Sequence, residues 1–278
     1  MSGPPASVAG ASQPDQGPVQ ILIAEDNPAN RKLALAMLAR LGHPAEAVSN
    51  GLEAIEAVVG GGYDAILMDC RMPEMDGFQA TAEIRRREGS RARIPIIAMT
   101  ADAMHGDRKR CLEAGMDDYI SKPVSLDSLA QALARWVPRT HSSAPPERIA
   151  PDDGHDEDPS VAPSFVALLR GLGDRTPGGA PALVSEFLED AVSNLDRIYD
   201  ALERGQLRTA AERAHALGGT AATFGARPMG GLSRLLQRRS AEGDAAGARA
   251  ILADLRREFG RVREVLEAHF PDIVSEGP

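Results

Sequence analysis

Five residues in the first half of this 278-residue chain are of types that do chemistry together. Glu25 and Asp26 follow the apolar run VQILIA, Asp69 follows DAILM, Thr100 follows IPIIAM, and Lys122 stands just past DDYI. Taken singly, each has an ordinary role: acids at strand ends cap the next helix, and a lone lysine is solvated. Their conjunction points elsewhere. Clustered carboxylates repel one another unless a cation lies between them, and a hard, oxygen-lined site with few protein ligands suits Mg²⁺, which keeps several of its waters. The ammonium and the hydroxyl suit the oxygens of a phosphoryl group. In the second half, AHALGGTAATFGA, from Ala214 to Ala226, sets His215 into a stretch of small residues. Its helical neighbours are Ala211, Gly218, Gly219 and Ala222,. A ring with such neighbours lies on a shallow floor that a second protein surface can approach closely.

The elements that must position these groups are of two kinds. Residues 19–137 alternate short β-branched or apolar runs with amphipathic stretches, the signal for a parallel sheet with crossover helices,. Strands are predicted at 19–24, 45–48, 64–68, 94–99 and 117–120, followed by helical patterns from about Asn30, Gly51, Gly77, Ala103 and Leu126,. In such open sheets ligands bind beyond the carboxyl ends of the strands, where the acids, Thr100 and Lys122 fall. From Ser164 to Phe270 the period is helical throughout,. Helices near 164–171, 181–204, 207–223, 228–241 and 245–269 suit an all-α domain built on an antiparallel four-helix bundle,. On a helical wheel Leu207, Ala210, Ala214, Leu217, Ala221 and Phe224 share one face, and His215 falls to one side of it, so the ring is predicted to point outward,.

Composition bounds the rest. With 43% hydrophobic and 26% charged residues the chain is long enough for two packed cores,. Its net charge of -9 argues against a general nucleic-acid or anionic-membrane binder, and no helix-turn-helix with a basic recognition helix is visible,. Only Cys70 and Cys111 occur, and the start, MSGPPASVAG, lacks the basic and apolar segments of a signal peptide, which reads as cytoplasmic with free thiols,. No apolar run reaches the roughly 18–20 residues that span a bilayer. Residues 1–18 read as a disordered leader and 138–163 as a linker, whose DDGHDED is a solvated charge run rather than a metal site,. About 25 flexible residues average near 28 Å end to end, so Asp69 and His215 of one molecule are within reach of each other without being obliged to meet.

Residues 19–137 resemble the response-regulator receiver family, in particular the receivers attached to hybrid sensor kinases. The resemblance is carried by AEDNPANRKL, ILMDCRMPEMDGFQATAEIR, PIIAMTADAM and GMDDYISKPV. It implies an α/β, flavodoxin-like five-stranded parallel sheet of order 2-1-3-4-5. Asp69 becomes the phosphoacceptor, and Glu25, Asp26 and Asp69 with the backbone carbonyl of Arg71 hold Mg²⁺. Thr100 and Tyr119 become the switch pair, Lys122 binds a phosphoryl oxygen, and the bond to Pro123 is cis. Arg71 and Asp102 overhang the pocket mouth with opposite charges, and a pair between them would shield an acyl phosphate.

Residues 164–278 resemble histidine phosphotransfer domains, on the strength of the His215 motif and its position behind a receiver. The resemblance implies that His215 exchanges phosphoryl groups with a receiver aspartate. One departure is Gly218, where the family commonly has lysine; Arg208, two turns before His215, is the expected stand-in,. Together the two resemblances imply a two-component phosphorelay intermediate. It is not an ATP-dependent kinase, because no nucleotide-binding domain fits the remaining residues. Its partners are a sensor histidine kinase and receiver domains, with no nucleic acid and no membrane. Two other readings stay open: an interaction protein whose bundle only docks partners once Asp69 is phosphorylated, and the detached tail of a hybrid sensor kinase. Met1 and the leader favour a free-standing product over the latter.

Overall fold

The computed structural model describes residues 19–88, 93–100, 105–137, 160–172 and 179–273. Five strands, β1 (Ile21–Ala24), β2 (Ala45–Val48), β3 (Ala65–Asp69), β4 (Ile96–Thr100) and β5 (Asp118–Ser121), form one parallel sheet of order β2-β1-β3-β4-β5. They alternate with α1 (Pro28–Arg40), α2 (Gly51–Gly60), α3 (Gly77–Glu88), α4 (His105–Glu113) and α5 (Leu126–Trp136). β1, β3 and β4 are buried along their whole length, as expected of central strands covered by helices on both faces,.

Two strand ends differ from the sequence pattern in a way that matters for the site. β4 begins only after Pro95, which has no N–H to give to a ladder, and it runs on to include Thr100,. β3 likewise includes Asp69, in register with Met99. Both residues are therefore held by the sheet itself. α1 starts two residues before Asn30, because Asn27 caps it, accepting from the Asn30 N–H at 2.9 Å, and Pro28 suits the first turn,.

The second half is helical: α6 (Pro163–Leu172), α7 (Gly179–Glu203), α8 (Leu207–Thr223), α9 (Arg227–Ala241) and α10 (Ala245–His269). α7 to α10 pack successively and α10 returns against α7, closing a four-helix bundle,. Phe224 stacks on Phe187 with ring centroids 4.5 Å apart, and Phe165 of α6 tilts against it at 5.5 Å. Ala162 already belongs to this half, donating its N–H to the Gly225 carbonyl at 3.0 Å.

The two halves are not separate bodies on a string. α1 packs against α6, α7 and α8, and one apolar cluster runs from Ile21, Leu33 and Met37 through to Phe187, Leu217 and Phe224. α1 therefore buries one side on the sheet and another on the bundle. No helix among the described residues is long and apolar enough to cross a membrane.

Candidate functional site

The sheet delivers the acids to one point. Glu25 and Asp26 leave β1, Asp69 ends β3, and one carboxylate oxygen from each lies within 4.8 Å of the others. Glu25 is 2% and Asp69 6% exposed, whereas Asp26 stands at the open side. Lys122, just past β5 on a cis bond to Pro123, places its Nζ 2.6 Å from Asp69 Oδ2 and 2.7 Å from Glu25 Oε2. Other donors fix the carboxylates. Asn30 Nδ2 donates to Glu25 Oε1 at 3.0 Å, and the Arg71 N–H donates to Asp69 Oδ1 at 3.1 Å. Gly77 is required where α3 begins, since a Cβ there would stand 2.1 Å from the Asp69 carbonyl oxygen.

Burial pushes the Asp69 carboxyl up to about 7, with Glu25 adding to the rise and Lys122 opposing it,. For Lys122 burial disfavours the charge, but Asp69 and Glu25 outweigh it and hold the ammonium above its usual range. Three carboxylates thus face one ammonium. That imbalance in an oxygen-rich pocket fits a hard divalent cation, which would supply the charge the lysine cannot.

Thr100 is buried at the end of β4 and lines the same space. Tyr119 lies on β5 opposite Ala98, on the face that also carries Thr100, and packs partly buried on the cluster around Cys70 and Cys111,. Those two cysteines form no disulfide with each other, and their Sγ atoms lie 3.9 Å apart.

His215 reaches this space from the bundle. A cavity of about 430 Å³ is walled on one side by Glu25, Asp26, Asp69, Thr100 and Lys122, and on the other by His215, Gly219, Arg197 and Arg213. The ring points away from the bundle core as predicted, yet it is half-buried because the N-terminal half covers it. Its Nδ1 is 3.3 Å from Gln237 Oε1 on α9, and its Nε2 is 3.4 Å from Arg71 Nη1. An amide oxygen only accepts and a guanidinium only donates, so both contacts select the tautomer with the proton on Nδ1 and a lone pair on Nε2. Burial, reinforced by Arg71 and Lys122, lowers the ring's pKa below its ordinary value against the hydrogen bond that Nδ1 donates to Gln237, favouring that neutral form.

Two expectations about His215 need correction. Gly218 is not part of the shallow floor: it is buried against α9, where a Cβ would come 3.1 Å from Ser233 Cβ. Gly219 is the open one, with nothing within 4 Å of its Cβ position, and it lines the cavity. Arg208 is no stand-in for the missing lysine, since its side chain is 92% exposed and pairs with Glu212. The arginines that do line the cavity are Arg71, Arg110, Arg197 and Arg213. Gln237 was not singled out in the sequence, because a glutamine in LLQRRS carries no signal until α9 is laid against α8. Asp102, the expected partner of Arg71, lies outside the described residues, as does DDGHDED; Arg71 contacts His215.

Comparison with known proteins also finds two parts in the chain. Residues 21–134 match the family model described as response regulator receiver domain, and residues 182–265 match that of the Hpt domain. Sensor histidine kinase GacS of Pseudomonas protegens is 33% identical over 206 residues, 72% of this chain and 22% of that protein. Hybrid signal transduction protein dokA of Dictyostelium discoideum is 43% identical over 133 residues, 48% of this chain and 8% of that protein. The chain thus spans at most 22% of the length of these two relatives. Among solved structures, the receiver domain of a sensor histidine kinase from Pseudomonas aeruginosa, with a magnesium ion coordinated in its active site cleft, is 48% identical. That match covers 44% of this chain and 99% of that one, with a TM-score of 0.41.

Proposed function

This chain belongs to the response regulator receiver family over residues 21–134 and to the Hpt family over residues 182–265, and from that premise we propose that it is a phosphorelay intermediate. Asp69 accepts a phosphoryl group from the phosphohistidine of a sensor histidine kinase, and His215 exchanges it with a receiver aspartate. The observation that carries this reading is the shared cavity, which sets a buried carboxylate beside an ammonium on one wall and an imidazole whose Nε2 lone pair is met by Arg71 on the other. The two families and their similarity to hybrid sensor kinases support a phosphorelay signalling role.

Phosphoryl transfer through a loose transition state needs alignment and charge neutralisation more than covalent work. Glu25, Asp26 and Asp69, with the Arg71 carbonyl, would hold Mg²⁺, whose charge when bound offsets that of the phosphoryl oxygens,. Lys122 is already within hydrogen-bond distance of Asp69 Oδ2, so it holds the acceptor oxygen and then a phosphoryl oxygen,. Thr100 donates its hydroxyl to the new group, and the movement biases Tyr119 on the neighbouring strand, a population shift that carries the signal outward,. On the other wall Gln237 holds the Nδ1 proton, which keeps Nε2 nucleophilic. None of these roles calls on ATP: the chain moves a phosphoryl group made elsewhere, in a cytoplasmic setting.

Incubation with a phosphorylated sensor kinase tests the reading. Wild type should take up label of two kinds, an alkali-labile acyl phosphate that Asp69→Ala lacks and an alkali-stable phosphoimidazole that His215→Ala lacks. Label confined to Asp69, even with cognate receivers supplied, would favour the docking-only role of the bundle.

A further inference from the structure

Resting on that reading, we infer that the receiver and the bundle of one molecule are each other's transfer partners, and that the contacts joining them form a latch that outside partners must open. The latch extends well beyond the reacting groups. Asn27 Nδ2 donates to Asp190 Oδ2 at 3.0 Å, Lys32 pairs with Glu186, and the Arg40 guanidinium donates to the Gly171 carbonyl. Three points along α1 and its cap are thereby tied to α6 and α7. Apolar packing continues between them, where Leu33, Ala34 and Met37 of α1 share a small cleft with Thr223 of α8.

The reacting groups agree with this pairing. Gly218 cannot bring a charge to the ring, because it faces Ser233 on α9. The guanidinium in contact with His215 Nε2 is that of Arg71, which comes from the receiver half. A receiver without an arginine at that place would present the ring with one cation fewer, so the positive charge around the transferring group is complete when this chain's own halves meet.

The step balances without an added base. The Nε2 lone pair attacks phosphorus, the P–O bond to Asp69 breaks, and its electron pair stays on the carboxylate oxygen. The Nδ1 proton remains on the ring against Gln237, so the neutral imidazole becomes a cationic ring bearing the dianionic phosphoryl group. The reverse step restores the acyl phosphate.

The docked arrangement also covers both nucleophiles. A kinase or a second receiver reaches Asp69 or His215 only when the bundle moves aside. Latch strength therefore sets a trade: a firmer latch speeds internal transfer and slows exchange with outside partners.

The test uses the full chain, with acetyl phosphate and Mg²⁺ as the donor to Asp69 and alkali-stable label at His215 as the readout. The rate of label transfer to His215 should not change with protein concentration. A mixture of Asp69→Ala and His215→Ala chains should transfer ~100-fold more slowly at ~10 µM, since a tethered partner acts at an effective concentration on the order of 1 mM. Lys32→Glu and Glu186→Lys should each slow internal transfer and speed loading by a phosphorylated kinase, and the double variant should restore both rates. A wild-type rate proportional to concentration, with the mixture as fast, overturns this inference and leaves the proposed function standing. His215 unlabelled in the chain, in the mixture and with outside phosphorylated receivers overturns the proposed function and this inference with it.

Discussion

The two walls of the cavity hold their nucleophiles by opposite means. Asp69 stands among charges: two more carboxylates lie within 4.8 Å and Lys122 is salt-bridged to it, so its wall carries more negative charge than its own lysine neutralises. His215 is held by an amide and a guanidinium that fix one tautomer, and its wall needs no further ion. On the proposed reading the acceptor carboxylate is completed by a cation from solution, and the imidazole by Gln237 of α9 and by Arg71 from the opposite half. That reading assigns metal dependence to one wall and proton placement to the other.

The sharpest way to break this comparison is to remove the metal. Chelation should abolish uptake of label at Asp69, a loss of at least ~100-fold given the several kcal/mol of charge stabilisation that a metal provides. The lifetime of phosphoimidazole on His215 should not change in an Asp69→Ala chain, where no internal route returns the group to a carboxylate. A chelator that left uptake at Asp69 intact, or that shortened the phosphoimidazole lifetime, would contradict the division. Gln237→Ala offers a smaller effect on the other wall. Losing one hydrogen bond worth about 1 kcal/mol should slow transfer to His215 by about 5-fold, with uptake at Asp69 unaltered; equal slowing at both residues would show that Gln237 acts on the whole fold. The smallest effect concerns the adjacent glycines. Gly219→Ala should stabilise the chain by about 0.5–1 kcal/mol in chemical denaturation, as an open helical position allows. Gly218→Ala should give no such gain, because its Cβ must push Ser233 aside,.

The walls also differ in how well the sequence reveals them. Glu25, Asp26, Asp69, Thr100 and Lys122 each sit at or just past a strand end, and a parallel sheet brings all strand ends to one edge, so their meeting follows from topology,. Parallel strands with buried faces also read as continuous apolar runs, which is why strand and helix limits fell within a few residues of those observed. His215 was visible through its small neighbours, but helical periodicity says nothing about which residue of another helix lies opposite. Gln237, the inward turn of Gly218 and the approach of Arg71 depend on how α9 meets α8 and how α1 meets α7, and interhelical contacts leave no local pattern. The joining of the two halves was hidden for the same reason: α1 has apolar residues enough for the sheet, and its second buried side reads as ordinary amphipathic scatter.

The most direct measurement of the account is a phosphorus NMR time course on wild-type protein loaded at Asp69 in the presence of Mg²⁺. The acyl phosphate signal should rise first and then fall as a phosphoimidazole signal grows in its place. Decay of the acyl phosphate to inorganic phosphate alone, with no phosphoimidazole at any time, would contradict exchange between Asp69 and His215.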